Sequence, residues 1–318
     1  MAGNSSTPSV KMIAIDLDGT LLGLDGQVSA RNLEALRAAT EAGITVVIAT
    51  GRRHFYALKV LRELDLPRNM LLVSSNGAVV RTFASVLVER SHMEKETAEW
   101  LCGHIAEFRN ALVITFDKVR PDGEDDRGSL VVEEFEDLHT SIGRWMAANE
   151  PYIEHVRPIE DCLRGDPPIQ MMLCGTVERM RRAEARMLEH EWVAANGEVS
   201  ATSMISLNRT EYPERDLSIV DILPAGCSKG AALLRLAAAR GIDQSEMMAI
   251  GDNWNDLSML EVAGFPVLMG NAPEELQAIA AAKSWHVTAP HNQHGVALAI
   301  EAHLGQFLLT VPGARGSN

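Results

Sequence analysis

Two short apolar runs, each ending in a cluster of aspartates, constrain this chain more than any other feature. The first is Lys11 to Leu17, which leads into Asp16-Leu17-Asp18-Gly19-Thr20. The second is Met247 to Ile250, which leads into Gly251-Asp252-Asn253-Trp254-Asn255-Asp256. A nearly continuous apolar run of this length reads as a strand buried on both faces, the kind found in parallel sheets. Parallel sheets bind ligands at the carboxyl ends of their strands, where both acid clusters fall. Two carboxylates spaced i, i+2 at a strand end can point into one site and divide the work of nucleophile or metal ligand and acid/base. An Asp-Gly strand-to-turn junction is the plain alternative for the first cluster. A helix cap is the alternative for Asp256, which lies four residues from Asp252 at a predicted helix start.

The rhythm around these runs has three parts. Helical spacing at Leu33, Leu36 and Ala39 predicts a helix over Ala30 to Ala42, closed by Gly43. Ile44 to Ala49 reads as a strand, His54 to Leu64 as a helix and Met70 to Ser74 as a third strand. That βαβ alternation implies a parallel sheet with right-handed crossovers. After about residue 87 the pattern changes. Helices are expected at Lys95 to Phe108, Leu138 to Asn149 and Val177 to Glu191. Between and after them, strands are expected at Ala111 to Phe116, Ser129 to Glu133, Ile169 to Cys174, Val199 to Leu207 and Leu217 to Leu223. This is an α+β pattern with an antiparallel sheet. After Pro224 the first rhythm resumes, with helices at Lys229 to Arg240, Asn255 to Ala263, Pro273 to Ala281 and His294 to His303 and strands at Met247 to Ile250 and Pro266 to Met269.

Composition narrows the partners. The chain has 318 residues and is 46% hydrophobic, enough for about two domains. Its charge sum is 29 − 43 = −14, which repels nucleic acid and anionic lipid. An anionic substrate would need a local cation to overcome that field. No apolar run spans a bilayer, and Met1 to Ser9 lacks the features of a secretion signal, so it reads as a frayed tail, as does Val311 to Asn318. Cys102, Cys162, Cys174 and Cys227 show no Cys-x-x-Cys pairing, which fits a reducing cytoplasm. A monomer or weak homodimer is expected.

Further residues carry possible chemistry. Thr50-Gly51-Arg52 ends the second strand, where Thr50 could hold a phosphate oxygen or simply cap the following helix. Lys229 opens a helix, against the helix dipole, although a surface lysine is the default there. Acids at two parallel strand ends suggest an oxygen-rich, Mg²⁺-like site.

Taken together and in this order, Asp16-x-Asp18-Gly19-Thr20, Thr50-Gly51-Arg52, Ser228-Lys229-Gly230 and Gly251-Asp252-x-x-Asn255-Asp256 resemble the haloacid dehalogenase superfamily. Ser75-Asn76-Gly77-Ala78 and Met269-Gly270-Asn271-Ala272 are similar to stretches of its Cof-like sugar-phosphatase branch. The resemblance implies an α/β fold: a Rossmann-like parallel-sheet core from 1–87 and 224–318, with a large α+β cap inserted at 88–223. It implies a Mg²⁺-dependent phosphatase acting on a small phosphorylated metabolite such as a sugar phosphate. Asp16 would be the nucleophile and Asp18 the acid/base. Thr50 and Lys229 would hold the phosphoryl group. Mg²⁺ would sit on Asp16, the Asp18 carbonyl and Asp252, with Asn255 and Asp256 positioning its surroundings. Gly19, Gly51, Arg52 and Asn76 would line the phosphate and leaving-group side. Two departures stand out. Gln293-His294-Gly295-Val296 has a histidine where the family often has an acid. Asp221-Ile222-Leu223-Pro224 is closer to sucrose-phosphatase-like members.

Rival patterns exist. Gly226-Cys227-Ser228-Lys229-Gly230 satisfies the G-x-S-x-G elbow of serine hydrolases, with Asp252 and His286 or His291 following in order. The elbow needs a strand running straight into Ser228, and Pro224-Ala225-Gly226 intervenes. A phosphate-sensing protein on the same fold would lack one of the chemical residues, and all are present. His291 and His294 read as loop histidines. The acids at Asp122 to Asp126 and Glu133 to Asp137 read as solvated loops. Trp100, Trp145 and Trp192 read as packing residues.

Overall fold

A computed structural model describes residues 9–134, 142–195, 199–212 and 215–310. Val311 to Asn318, most of Met1 to Ser9, and parts of Glu133 to Asp137 and of the helix expected from Leu138 lie outside them. The first stretch builds β1 (Met12–Ile15), α1 (Ala30–Glu41), β2 (Thr45–Ala49), α2 (His54–Leu61), β3 (Leu71–Ser74), β4 (Val79–Thr82) and β5 (Leu87–Arg90). The middle builds α3 (Lys95–His104), β6 (Leu112–Thr115), β7 (Leu130–Val132), α4 (Gly143–Asn149), β8 (Ile153–His155), β9 (Gln170–Gly175), α5 (Val177–Leu188), β10 (Val193–Ala195), β11 (Ile205–Tyr212) and β12 (Leu217–Pro224). The last builds α6 (Lys229–Ala238), β13 (Met247–Gly251), α7 (Leu257–Val262), β14 (Phe265–Leu268), α8 (Glu274–Ala282), β15 (His286–Val287) and α9 (Gly295–Thr310).

The strands form two sheets. The first has the order β15-β14-β13-β1-β2-β3-β4-β5. Its strands from β15 to β3 run parallel, and β4 and β5 add an antiparallel hairpin. β1 lies between β2 and β13, so the strand order reverses there, and that switch point is where open α/β sheets leave a crevice. Alternation along β1 explains why the run is continuously apolar. Ile13 and Ile15 pack in the cluster that includes α1 and α9 residues, and Met12 and Ala14 in the one that includes α6 and α7 residues. The fold is thus the α/β core with a parallel sheet expected from the sequence, joined to a second α+β layer.

The second sheet has the order β10-β11-β12-β9-β6-β7-β8. Its central strands β11, β12, β9, β6 and β7 are antiparallel, and only the flanking pairs β10–β11 and β7–β8 are parallel. One face packs α3 and α5 through Leu101, Met180, Ile114, Leu173 and Val220. The other presents Val113, Leu130 and Cys174, partly covered by Met146 of α4.

Several expectations shift. The strand expected over Val199 to Leu207 begins at Ile205 and runs to Tyr212. Ser200 and Ser203 bind each other locally, Ser203 Oγ accepting the Ser200 N–H at 3.0 Å, which keeps that segment in a turn. The β4–β5 hairpin carries the first sheet past residue 88, and β8, β10 and β15 are too short to have shown a pattern. The helix expected from Asn255 starts with a 3₁₀ turn at Trp254–Asp256.

α6 and α7 pack closely because Gly230 has no side chain. A Cβ there would press into the Ser258 carbonyl oxygen, a backbone atom that cannot swing aside. Alanine is the better helix former by about 1 kcal/mol, but overpacking costs about 1–3 kcal/mol. Gly230→Ala is therefore expected to lower the urea midpoint at unchanged slope; a midpoint at or above wild type would show that the two helices have slack.

Candidate active site

β1, β2 and β13 run parallel in register, so their carboxyl ends lie side by side. Asp16 follows β1, Thr50 follows β2 and Asp252 follows β13. Lys229 enters from the first residue of α6, whose start is fixed by Ser228 Oγ accepting the Ala231 N–H at 3.1 Å. Lys229 is fully buried. Its ammonium donates to Asp16 Oδ1 and to Asp256 Oδ1, each at 2.7 Å. Burial alone would lower its pKa; Asp16 and Asp256 more than reverse that and hold it raised and charged. The surface-lysine reading is thereby excluded.

Asp256 is used up by its neighbours. Its second oxygen accepts the backbone N–H groups of Asp252 and Asn253, both at 3.0 Å. With Asn253 it forms a capping box, so the cap reading and the site reading of Asp256 both hold. Asp252 is held by the Thr20 hydroxyl, which donates at 2.9 Å, and by Asn271 Nδ2, which donates at 3.1 Å. Asn271 also donates to the Gly19 carbonyl at 2.9 Å, tying the two acid-bearing loops together. Gly19 has φ +78°, and a Cβ there would collide with the Asp252 carboxylate. Its part in the site is to let that carboxylate approach. Thr20 and Asn271 were quoted in sequence motifs without being given a role.

Carboxylate oxygens of Asp16, Asp252 and Asp256 all lie within 4.8 Å of one another, and all three residues are buried. Three acids share one ammonium, an arrangement that penalises full ionisation. Burial, then repulsion from Asp256, pushes the Asp16 carboxyl up to about 7 against the pull of Lys229. Burial and Asp16 raise Asp252 well above the usual carboxylate range. An oxygen-only donor set with excess negative charge suits a hard divalent cation. Because Asp256 already accepts three hydrogen bonds, Asp16 and Asp252 are the carboxylates best placed to hold it.

Thr50 is buried, its Oγ1 accepting the Arg52 N–H at 3.1 Å. It does not cap α2, whose N-cap is Arg53. Asp18 stands at the mouth, its side chain 52% exposed, gripped by Arg52 through two hydrogen bonds of 2.5 and 2.7 Å. Arg52 therefore contacts the second acid of the motif. A cavity of about 310 Å³ opens over these groups, lined on the first sheet's side by Asp16, Asp18, Thr50, Gly51, Arg52 and Asn255. Asn76 does not line it, contrary to the expectation that it reaches the leaving group. It is buried behind Asn255, accepting from Asn255 Nδ2 at 3.3 Å and donating to Asp221 Oδ2 at 2.9 Å. Trp145 lines the cavity instead of serving only as packing, and so does Arg53, which is held by Asp125 and Asn149. Trp145 reaches the site from a distant part of the chain and had no local signal, while Arg53 directly follows the Thr50-Gly51-Arg52 motif and is turned by partners 72 and 96 residues away.

The serine-hydrolase arrangement is not assembled. Ser228 caps α6, Asp252 is bound by Thr20 and Asn271, and His286 lies on the edge strand β15. His294 bonds Ser29, the N-cap of α1, through Nδ1 at 3.0 Å, and His291 gives its backbone N–H to Asn271. Trp100 and Trp192 pack against each other and His190.

The model of the haloacid dehalogenase-like hydrolases matches residues 13–300. The chain belongs to that family. The 5-amino-6-(5-phospho-D-ribitylamino)uracil phosphatase YwtE of Bacillus subtilis is 32% identical over 316 residues, spanning 94% of this chain and 100% of that protein. Phosphatase YwpJ of the same organism is 30% identical over 319 residues, with the same two coverages. A solved haloacid dehalogenase-like hydrolase from B. subtilis superposes with a TM-score of 0.71 at 27% identity, covering 92% of this chain and 99% of the other. With these relatives the protein stands among the phosphoric monoester hydrolases. No described helix is long and apolar enough to cross a membrane.

The acid cluster makes a pH-dependent prediction for the metal-free protein. Folding raises the Asp16 pKa from 3.8 to about 7, so the folded state keeps a proton that the unfolded state loses. The contribution is therefore present below pH 3.8 and fades as pH rises towards 7. A divalent cation displaces that proton and should stabilise more at high pH. Thermal melts at pH 5 and 7.5 should show a larger Mg²⁺-induced rise in Tm at pH 7.5; an equal or smaller rise there would remove the cluster as the binding site.

Proposed function

We propose that the protein is a Mg²⁺-dependent phosphomonoesterase of the cytoplasm that hydrolyses a small phosphorylated metabolite, a sugar phosphate, through a phosphorylated Asp16. The observation that carries this reading is the Asp16–Lys229–Asp256–Asp252 cluster at two adjoining strand ends and a helix start, opening into a cavity with Asp18 at its mouth. A named relative whose substrate contains a phosphorylated ribityl chain supports the substrate class.

Each residue then has a task. Asp16 attacks phosphorus through a carboxylate oxygen, and the bond from phosphorus to the leaving oxygen breaks. Asp18 protonates that oxygen, then takes a proton from the water that releases phosphate from Asp16. Thr50 has its Oγ1 engaged by the Arg52 N–H and can donate its hydroxyl proton to the phosphoryl group. Lys229 orients Asp16 and offsets the phosphate charge. Gly51 and Asn255 line the approach, and Arg52 holds Asp18 in place. Asp16, Asp252 and the Asp18 carbonyl would hold Mg²⁺, with Asp256 fixing their surroundings. When bound, the metal supplies the positive charge that lets an anionic nucleophile meet an anionic phosphate. In this reading the segment 88–223 is a cap that excludes water and reads the leaving group, and 1–87 with 224–318 is the catalytic core.

Asp16→Asn removes the nucleophile while conserving shape. It should lower Mg²⁺-dependent hydrolysis of p-nitrophenyl phosphate by about 10³-fold or more while the protein still melts cooperatively. EDTA should silence the wild type and Mg²⁺ restore it. Wild-type turnover by the variant, or activity indifferent to EDTA, would sink the mechanism.

A further inference from the structure

The second sheet supplies the other part of the cavity lining. Val113 of β6, Met172 of β9 and Ile219 of β12 give it apolar area with Trp145 from α4, and Thr115, Gln170 and Thr210 add neutral polar groups. Register explains their convergence. Val113 pairs with Met172, and Met172 pairs with Asp221 on β12. Paired residues of adjacent strands share a face, and Asp221 and Ile219 are two apart on β12, so all four point the same way.

Asp221 thus places a carboxylate in a buried wall of apolar and neutral polar side chains, where an unsupported charge is costly. It is only 8% exposed. Two amides support it: Asn76 Nδ2 donates to Oδ2 at 2.9 Å, and Gln170 Nε2 donates to Oδ1. Burial pushes its carboxyl up to about 6, with both amides acting to keep it ionised. Both partners are neutral, so neither supplies a formal counter-charge. An ionised carboxylate has about four acceptor positions, and the amides take two. Asp221 also lines the cavity, so its remaining acceptor capacity is available to what binds there.

We infer that Asp221 is a specificity-determining residue that accepts a hydrogen bond from a hydroxyl of the leaving group, selecting polyol-type phosphates over apolar ones. The inference rests on the phosphatase reading above and deepens it. A carboxylate repels the substrate's phosphate and welcomes a hydrogen-bond donor. A site built to bond a substrate hydroxyl discriminates strongly against the analogue lacking it, because the buried acceptor is then left unpaired.

The test compares ribitol 5-phosphate with pentyl phosphate, a chain of the same length without hydroxyls, in wild type, Asp221→Asn and Asp221→Ser with Mg²⁺. Wild type should favour ribitol 5-phosphate in kcat/KM by about tenfold or more. Both variants should lower that ratio severalfold through a higher KM for the polyol. The serine variant gives the same reading if the asparagine variant melts early. A wild type without preference, or variants that keep the wild-type ratio, would overturn the inference while leaving the phosphatase reading intact. A wild type that hydrolyses neither ester nor p-nitrophenyl phosphate would overturn both.

Discussion

Lys229 is the constraint around which the rest of the structure is arranged. A lysine with no exposed surface must keep its charge matched, and it sits at a helix start, where the dipole disfavours a cation. Two carboxylates answer this, each 2.7 Å from the ammonium. They come from chain positions far apart, so the match exists only if β1, β13 and α6 meet at one end of the sheet. The strand reversal at β1 brings them together. Asp252 then adds a third carboxylate, leaving the group short of positive charge. The same desolvation that makes the lysine dependable makes this deficit strong, because little solvent screens it. Charge matching within the fold and appetite for a further cation are two results of one burial.

Polar side chains that carry no reactive group hold this arrangement still. Thr20, Asn271, Asn253 and Asp256 fix the Asp252 loop through hydrogen bonds of 2.8 to 3.1 Å. The two sheets are held against each other by charge as well. Asp117, beyond β6, accepts from Arg81 of β4 and Arg90 of β5, while Arg53 donates to Asp125 and Asn149. Arg53, Arg81, Asp117 and Asp125 are largely buried, so salt screens those contacts far less than an exposed pair. Some of the acids in the sequence are therefore structural, balanced by arginines in ion pairs between the two sheets.

What could be read from the sequence follows from the range of each signal. The strands at Met12–Ile15 and Met247–Gly251 were visible because burial on both faces leaves a continuous apolar run with an acid at its end. Asp16, Asp18, Thr50, Lys229 and Asp252 were visible because each follows or opens an element whose limits were clear. Thr50 was ambiguous locally, since a hydroxyl after a strand also caps helices; only the position of Arg53 at the N-cap separates the two uses. Asn76 was legible as part of a motif but not in its direction. It turns towards Asp221, 145 residues later, and no local pattern encodes that pairing. Trp145 was invisible as a cavity residue because a tryptophan on a short helix looks the same whether it packs a core or walls a cleft. The β4–β5 hairpin lacks the alternation of a half-buried pair: Leu87 and Val88 are both exposed on its outer strand.

The division between the two sheets also explains why the first could be read more fully than the second. Around the cavity, the first sheet contributes groups whose chemistry is specific to residue type: carboxylates, a threonine hydroxyl, a guanidinium. Asp16 cannot be exchanged without losing the charge balance around Lys229. The second sheet contributes Val113, Leu130, Met172 and Ile219, which serve through shape and apolar area that many residues could supply, with the neutral polar groups of Thr115, Gln170 and Thr210 beside them. Its face needs only period-two alternation to form, so alternation is all the sequence displays there. Among the described lining residues, Asp221 is the charge the second sheet brings to the cavity. Two buried amides turn to meet it, and a charge among apolar and neutral polar neighbours makes it the most informative residue the second sheet offers.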